Sequence, residues 1–261
     1  MSIRVVFVIG TILTSGSGFA AEACAHRGDV SAAPENTIPA FVSAVEKGAA
    51  MIEFDVQLSQ DGRLVVMHDP TVNRTTDGEG RVGDLTFEEL SVLDAGSWFS
   101  EKFAGTRIPT LREALEVIPE SVLCNVHLKN SPGVAAAAAK RIEKMGRLDQ
   151  CFLACTVEQG REATAAVPSI RVCNMSRQGR DRWAYVQLTI DEGCEFIQLH
   201  QRNGLADIEK AVEVLHRNGV IVNYYGANDV ERIRALEAAG VDYILTDKLD
   251  LCVRTLAEND N

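Results

Sequence analysis

The sequence has too few basic residues to balance its acidic ones. It contains 26 Lys and Arg against 37 Asp and Glu, which gives the 261-residue chain a formal net charge of −11 at pH 7. A surface field of that sign repels nucleic acids and anionic membranes unless a local cluster of Lys and Arg reverses it. We find no such cluster in the sequence, so no nucleic-acid partner is expected.

The sequence also lacks an apolar run of the roughly 20 residues that a membrane-spanning helix needs, so no stable membrane insertion is expected. The run at residues 5–13 has instead the length of a signal-peptide core, with Arg4 before it and small residues at 14–23 after it. We expect residues 1–23 to be a signal peptide, removed on export to the periplasm or beyond. Candidate cleavage positions follow Ala20, Ala21 and Ala23. The alternatives are a short buried element and acylation of Cys24, which Glu22 disfavours.

Neither a CxxC pair nor a cluster of Cys and His with zinc-ligand spacing occurs among the seven cysteines. Redox catalysis and a structural zinc site are therefore not expected. Cys151 and Cys155 are separated by three residues, and most of the seven lie in apolar runs. Buried thiols are the main prediction. One disulfide remains an alternative, and the odd number leaves at least one free thiol.

Short apolar runs rich in β-branched residues alternate with longer amphipathic runs, which is the pattern of repeated βα units and a parallel sheet. The predicted strands are residues 23–27, 51–56, 122–129, 151–155, 170–174, 196–200, 220–224 and 243–246. Predicted helices include residues 37–47, 133–144, 206–217 and 229–239, which end at Gly48, Gly146, Gly219 and Gly240. Eight strands in a chain of this length predict a single α/β domain at residues 24–261, a (β/α)8 TIM barrel.

A ninth apolar run, at residues 64–67, follows the second strand across Asp61-Gly62. A DG turn between two strand-like runs predicts a β-hairpin. We assign this run to an excursion from the second strand that opens an insertion at about residues 69–107. The insertion is rich in Gly, Thr and Asp and is expected to form a small cap over the barrel mouth. An ordinary surface loop is the alternative.

Polar side chains are concentrated where the predicted strands end, which is where barrels of this kind place their active sites. Glu53 and Asp55 are two residues apart on the second strand, so both carboxylates face the same side, here the barrel interior. Two inward-facing acids require a cation, and hard oxygen ligands favour Mg²⁺ or Ca²⁺. Neutralisation by basic side chains without a metal is the alternative.

His127 and Lys129 repeat this spacing on the third strand, so an imidazole and an ammonium group lie beside the two acids. We expect His127 to complete the metal shell and Lys129 to balance negative charge. His26 ends the first strand and His68 ends the hairpin. Both suit proton transfer near neutral pH, because the unperturbed pKa of histidine is about 6.5.

A series of short motifs runs from about Cys24 to Asp247. The series is His26-Arg27-Gly28, Pro34-Glu35-Asn36-Thr37, Ala40-Phe41, Gly48, Ile52-Glu53-Phe54-Asp55-Val56, Asp61-Gly62, His68-Asp69, Arg74-Thr75-Thr76, Gly78, Ile108-Pro109-Thr110-Leu111, Gly240-Val241-Asp242 and Thr246-Asp247. In order and spacing it resembles the glycerophosphodiester phosphodiesterase family. The N-terminal third, with HRG, PENT, ExD and HD in that order, is the most specific part.

The resemblance implies roles for individual residues. His26 and His68 would form a general acid/base pair acting on a small-molecule phosphodiester. Glu53 and Asp55 would bind a divalent cation, Mg²⁺ or Ca²⁺. Glu35 would lie in or just behind the metal shell.

The resemblance also places Arg27 and Lys129 on the phosphate, and this chain departs from the family pattern at two points. The third strand reads His127-Leu128-Lys129 where the family has Glu-x-Lys, so the lysine is kept and a ligand carboxylate is replaced. This change admits Mn²⁺ or a similar ion. The second departure is Tyr225-Gly226 in place of Trp-Thr, and Tyr225 is expected to bind the substrate at the wall of the alcohol pocket.

The predicted function is metal-dependent hydrolysis of glycerophosphodiesters to glycerol phosphate and an alcohol. One alternative is a related phospholipase or sphingomyelinase D-like lipid phosphodiesterase, which an apolar rim of Trp98, Phe99 and Phe103 would favour. Another is a non-catalytic phosphodiester-binding barrel that has lost turnover through the change at His127. Retention of both histidines argues against that second alternative.

Overall fold

The computed structural model describes residues 20–129, 131–176 and 178–258, and these form the predicted (β/α)8 TIM barrel. Their strands are β1 Glu22–His26, β2 Met51–Leu58, β3 Leu64–Val66, β4 Leu123–Leu128, β5 Cys151–Cys155, β6 Arg171–Asn174, β7 Phe196–His200, β8 Ile221–Tyr225 and β9 Tyr243–Thr246. All but β3 run parallel in the barrel, and β1 pairs with both β2 and β9. The sheet is therefore closed.

Strand β3 forms the predicted hairpin with the end of β2. The two strands are antiparallel, with Val56 opposite Val66 and Leu58 opposite Leu64. Gly62 takes a φ of 76° in the connecting turn, a conformation that glycine adopts without steric cost. The hairpin brings His68 back towards the barrel mouth, and the Met67 N–H donates to the Asp55 carbonyl at 2.9 Å.

The helices of the described residues cover the outside of the barrel. They are α1 Ile38–Glu46, α2 Phe87–Ser91, α3 Leu111–Val117, α4 Val134–Lys144, α5 Val157–Ala166, α6 Arg182–Asp191, α7 Ile208–Arg217, α8 Val230–Ala238 and α9 Leu249–Ala257. The four helices predicted by residue number are confirmed, with ends that differ by at most two residues. Thr110 and Thr156 begin α3 and α5 with reciprocal capping boxes.

The first strand ends at His26, one residue earlier than predicted, because the chain turns sharply there. Arg27 has a φ of 58° and Gly28 a φ of 81°, both in the left-handed region. A Cβ atom at Gly28 would lie 2.8 Å from the backbone of Ala40, so the turn requires glycine. This turn explains why the strand is followed by Arg-Gly.

An apolar plug fills the barrel below the strand ends. Its buried members are Cys24, Met51, Phe152, Ala154, Cys173, Phe196 and Leu245. Phe152 and Phe196 stack with ring centroids 3.9 Å apart. Because residues two apart on a strand share a face, Cys24 lies beneath His26 and Met51 beneath Glu53. The plug therefore supports the polar residues at the mouth.

The insertion shares a small apolar core with the hairpin and with Ile108. Val65, Met67, Val72, Val82, Leu90, Ala95 and Ile108 are buried together there. Trp98 packs edge-on against Phe99, and Phe99 against Phe103, while Trp98 remains 41% exposed. Part of the insertion is therefore packed against the hairpin. That the insertion caps the mouth stays a prediction.

All seven cysteines lie in the described residues, and each is buried with a free thiol. The prediction of buried thiols is confirmed, and the alternative of one disulfide is not realised. Burial raises the pKa of Cys194 to about 11 and the pKa values of Cys155 and Cys252 to about 12.

The predicted signal peptide lies, as far as residue 19, outside the described residues. Ala21 is buried, and the Glu22 N–H donates to the Asp242 carbonyl at 2.9 Å. Among the described residues, no helix has the length and hydrophobicity required to cross a bilayer.

Candidate active site

Five predicted site residues meet at the C-terminal ends of three neighbouring strands. They are His26 at the end of β1, Glu53 and Asp55 on β2, and His127 and Lys129 on β4 and directly after it. The register explains the arrangement, since His26 lies opposite Glu53 and Asp55 lies opposite His127. Glu53 is 2% and Asp55 1% exposed. Both carboxylates are therefore buried in the barrel.

Glu53, Asp55 and His127 form a candidate metal triad. One ligand atom of each lies within 4.8 Å of the other two, and Nδ1 of His127 is 3.2 Å from Oδ1 of Asp55 and 3.4 Å from Oε1 of Glu53. Oδ1 of Asp55 is buried and makes no hydrogen bond of suitable geometry within the described residues, although Nζ of Lys129 lies 2.6 Å away. Two carboxylates and an imidazole in this arrangement fit a divalent cation.

Asp55 is the most densely contacted of the three. Asn36 donates from Nδ2 to Oδ2 of Asp55 at 2.8 Å and accepts from its N–H at 3.1 Å. Burial alone would raise the pKa of the Asp55 carboxyl, but the neighbouring imidazole of His127, 3.2 Å away, lowers it. The charges of Lys129 and Arg27 act in the same direction. The pKa therefore lies well below its ordinary value, and the carboxylate is ionised.

Glu35 was expected in or just behind the metal shell, and the structure places its carboxylate between two arginines. Oε1 accepts from Nη1 of Arg27 at 2.8 Å, and the two oxygens accept from Nη2 and Nη1 of Arg74 at 2.7 and 2.8 Å. Burial would raise the pKa of Glu35, but the hydrogen bonds from Arg74 and the charge of Arg27 lower it. Glu35 is a partner of these arginines and lies outside the candidate metal triad.

His26 is held by a carboxylate from the far end of the chain. Its Nδ1 lies 2.6 Å from Oδ1 of Asp247, and Nδ2 of Asn228 donates to Oδ2 of the same carboxylate at 2.9 Å. Nε2 of His26 is left facing the mouth, 3.9 Å from Oε2 of Glu53. The ring of Tyr225 lies 4.8 Å from that of His26 and 5.3 Å from that of His200. Tyr225 thus forms part of the wall beside His26.

His68 has an equivalent carboxylate partner. Its Nδ1 lies 2.6 Å from Oδ1 of Asp69, which also accepts from Nη2 of Arg74 at 3.0 Å. Burial lowers the pKa of His68 below its ordinary value, and the charge of Lys129 acts in the same direction. Both effects favour the neutral form of the imidazole, and the contact with Asp69 is made by Nδ1 rather than Nε2.

A groove opens from the reaction centre beside His68 and Lys129. Its volume is about 650 Å³, and its other lining residues are Gln57, Leu58, Ser59, Gln60, Gly62, Pro70, Arg81, Gly83, Asp84, Ser131 and Pro132. The end of β2, the β2–β3 turn, the insertion and the loop after β4 supply these residues. Most of its polar side chains lie outside the motifs that the sequence singled out.

Sequence reasoning assigned no role to several residues that contact the predicted ones. Asn36, Asp69 and Asp247 lie within the PENT, HD and TD motifs, which carried a signal that was not used. His200 lies in no motif, but it ends the predicted strand at 196–200, a position that could have singled it out. Asn228 lies in no motif and ends no predicted strand.

Comparison with known proteins agrees with this geometry. The profile of the Glycerophosphoryl diester phosphodiesterase family matches residues 26–251. A glycerophosphodiester phosphodiesterase from Caldanaerobacter subterraneus subsp. tengcongensis is 38% identical over 229 residues, 85% of this chain and 92% of the relative.

Two solved structures share the fold. One is a glycerophosphodiester phosphodiesterase from Agrobacterium tumefaciens, with a TM-score of 0.78 and 28% identity over 90% of this chain and 99% of that one. The other is an Oleispira antarctica phosphodiesterase in complex with the product sn-glycerol-3-phosphate, with a TM-score of 0.80 and 27% identity over 92% and 98% of the two chains. A family match that spans the barrel and includes every residue of the candidate metal triad shows that this chain belongs to the glycerophosphoryl diester phosphodiesterase family.

Proposed function

We propose that this chain hydrolyses glycerophosphodiesters to glycerol phosphate and an alcohol, with His26 and His68 as the general acid/base pair. One observation carries the proposal. Each imidazole has its Nδ1 fixed by a carboxylate, at 2.6 Å in both cases, so each presents Nε2 for proton transfer. His26 ends β1, and His68 follows β3 by two residues. Both strands pair with β2, which carries the acidic members of the candidate metal triad.

The positive groups of the mouth suit a substrate that carries one negative charge. Arg27 and Lys129 both reach Asp55, at 3.3 and 2.6 Å, and both can bind phosphate oxygens. Glu53, Asp55 and His127 would hold a divalent cation, which would supply positive charge to stabilise the transition state. Arg27 and Lys129 orient the phosphate between the two histidines.

The proton transfers follow from the hydrogen bonds at Nδ1. Asp247 and Asp69 accept from Nδ1–H of His26 and His68, which leaves the Nε2 lone pair of a neutral ring to accept a proton from the nucleophile. The other histidine, protonated at Nε2, donates to the departing alcohol oxygen. Histidine pairs of this kind contribute roughly 10²- to 10⁴-fold each.

The groove beside His68 favours a polar leaving alcohol over a lipid. Arg81, Asp84 and Gln60 lie along it, and none of the aromatic residues Trp98, Phe99 and Phe103 is among its lining residues. A lipid diester would need an apolar channel for its chains. The proposed substrate class is therefore the deacylated glycerophosphodiesters.

Export belongs to the same proposal. The leader-like residues before the barrel, Arg4 and the apolar run at 5–13, support delivery of the domain to the periplasm or beyond. There it would meet soluble glycerophosphodiesters.

The test is hydrolysis of a panel of glycerophosphodiesters and intact phospholipids, with chelator and with added divalent ions. We expect turnover of the deacylated compounds only, dependent on metal, with kcat lowered about 10²- to 10⁴-fold in His26→Ala and His68→Ala. His216→Ala is the matched control, because His216 also pairs with an aspartate, Asp242 at 2.8 Å, but lies outside the site. Hydrolysis of the lipids in preference, or unchanged kcat in both site variants, would overturn the proposal.

A further inference from the structure

Arg74 is the arginine of the RTT motif, to which neither the sequence nor the proposed chemistry gave a role. It lies in the insertion and makes four hydrogen bonds to two carboxylates. Nε and Nη2 donate to Asp69 at 2.6 and 3.0 Å, and Nη1 and Nη2 donate to Glu35 at 2.8 and 2.7 Å. Its guanidinium therefore joins a loop after β1 to a loop after β3.

Each of the two carboxylates has a further partner in the active site. Asp69 binds Nδ1 of His68, and Glu35 binds Nη1 of Arg27. A continuous chain of charged hydrogen bonds thus runs from the proton-transfer imidazole, through Arg74, to the guanidinium that faces the phosphate. Among the described residues, Arg74 is the only one that binds both Asp69 and Glu35.

We propose that Arg74 is a positioning residue, which fixes Asp69 and Glu35 together and so aligns His68 and Arg27 at the same time. The inference rests on the proposed roles of His68 and Arg27. Arg74 itself does not contact the candidate metal triad.

Two features separate this arrangement from an ordinary surface ion pair. Arg74 is 45% exposed, but its partners are largely covered, with side-chain exposures of 13% for Glu35 and 24% for Asp69. The planar guanidinium binds each carboxylate through two nitrogens, a geometry that lysine cannot reproduce. Without it, two carboxylates held close together would repel each other beside an anionic substrate.

The test compares Arg74→Ala and Arg74→Lys with the wild type in kcat, KM and thermal stability. We expect kcat to fall at least tenfold in both variants, with KM changed less and the melting temperature nearly kept. Added guanidinium should restore a large part of kcat to Arg74→Ala, because the free ion can occupy the site between the carboxylates. Arg112→Ala is the control, since Arg112 forms an exposed pair with Glu116 at 2.7 Å. In this variant, kcat should equal that of the wild type, and added guanidinium should not raise it.

A second readout separates this inference from the proposed function. The chain has five histidines, so the ¹⁵N shifts of His68 can be assigned by comparison with His68→Ala. In Arg74→Ala, the Nδ1–H form of His68 should lose population, and guanidinium should restore it. If His68→Ala retains full activity, the proposed function fails whatever Arg74 does. The positioning role is overturned if kcat and the His68 spectrum are unchanged in Arg74→Ala. It is also overturned if activity falls only in proportion to the amount of folded protein and guanidinium restores none of it.

Discussion

Asp247 and His26 are 221 residues apart in the chain, yet Oδ1 of Asp247 lies 2.6 Å from Nδ1 of His26. The pairing of β1 with β9 brings them together, with Ala25 opposite Thr246 one residue before each. The hydrogen bond from His26, with the second from Asn228, lowers the pKa of the Asp247 carboxyl below its ordinary value. The ionised form of the carboxylate is therefore favoured, and an ionised carboxylate at this distance favours the tautomer of His26 that carries its proton on Nδ1.

Asp247→Asn should lower kcat at least tenfold, about 1.4 kcal/mol of transition-state stabilisation. The asparagine amide can turn its NH₂ towards Nδ1 and stabilise the wrong tautomer of His26. Steady-state kinetics and a melting curve measure this. Asp242→Asn removes the aspartate of the His216 pair outside the site and serves as the control. Equal kcat in wild type and Asp247→Asn would contradict the orienting role.

Chelation should abolish activity, and Glu53→Gln or Asp55→Asn should do the same without unfolding the protein. Each substitution removes one negative charge from a site whose carboxylates are almost fully buried. Activity assays with re-added metal, together with circular dichroism, give the measurement. Full turnover by protein shown to be metal-free would rule out the candidate metal triad as a catalytic site.

His127 should shift metal preference away from the hardest ions. A neutral imidazole in place of a carboxylate gives the triad one negative charge fewer and a softer ligand atom. The affinity for Mn²⁺, Co²⁺ or Zn²⁺ should therefore rise relative to that for Mg²⁺ or Ca²⁺. His127→Glu should move preference towards Mg²⁺ or Ca²⁺, and His127→Ala should weaken every metal. Dissociation constants for Mg²⁺ and Mn²⁺, measured by calorimetry in the wild type and both variants, test this metal preference independently of turnover. The same preference in all three proteins would show that His127 is not a ligand.

Thiol reagents should leave the native protein unmodified near pH 8 and find seven thiols after unfolding without reductant. All seven cysteines are buried and free. Burial raises the pKa of Cys194 to about 11 and that of Cys155 to about 12, so the reactive thiolate is scarce at that pH. Fewer than seven thiols in denaturant would indicate a disulfide.

Export should remove 20 or 21 residues, so that the mature chain begins at Ala21 or Glu22. Cleavage after Ala23, the third candidate position, would remove Glu22 and Ala23, which pair with Tyr243 and Ile244 of β9. Mass spectrometry of protein recovered from its native host measures this. An intact Met1 would count against export, and a chain that begins at Cys24 would contradict the argument from strand pairing.

The parts of the site predictable from sequence were those set by the period of a strand. Glu53 and Asp55 were predicted to face inward together because they are two residues apart, and His127 followed from Lys129 by the same rule. The closed barrel and the hairpin to Leu64–Val66 followed from apolar runs and a DG turn.

What sequence could not provide were the contacts between loops. Glu35 was expected in or just behind the metal shell, and no sequence signal indicated that its carboxylate would bind Arg74, which is 39 residues away on the insertion. Nothing in the local pattern fixes how two loops approach each other, because that depends on how the insertion packs against the hairpin. Asn228 likewise reaches Asp247 only through the path of the loop after β8.

Closure of the barrel by β1 and β9 joins the first and last strands of the described chain. Contacts between residues so distant in sequence are slow to form. During synthesis, His26, Arg27, His68 and the candidate metal triad therefore leave the ribosome before Asp247 does. The nascent chain cannot orient His26 until the final strand has been synthesised and docked. During refolding, the return of turnover would report on this docking step, whereas far-ultraviolet circular dichroism would report on the formation of the helices.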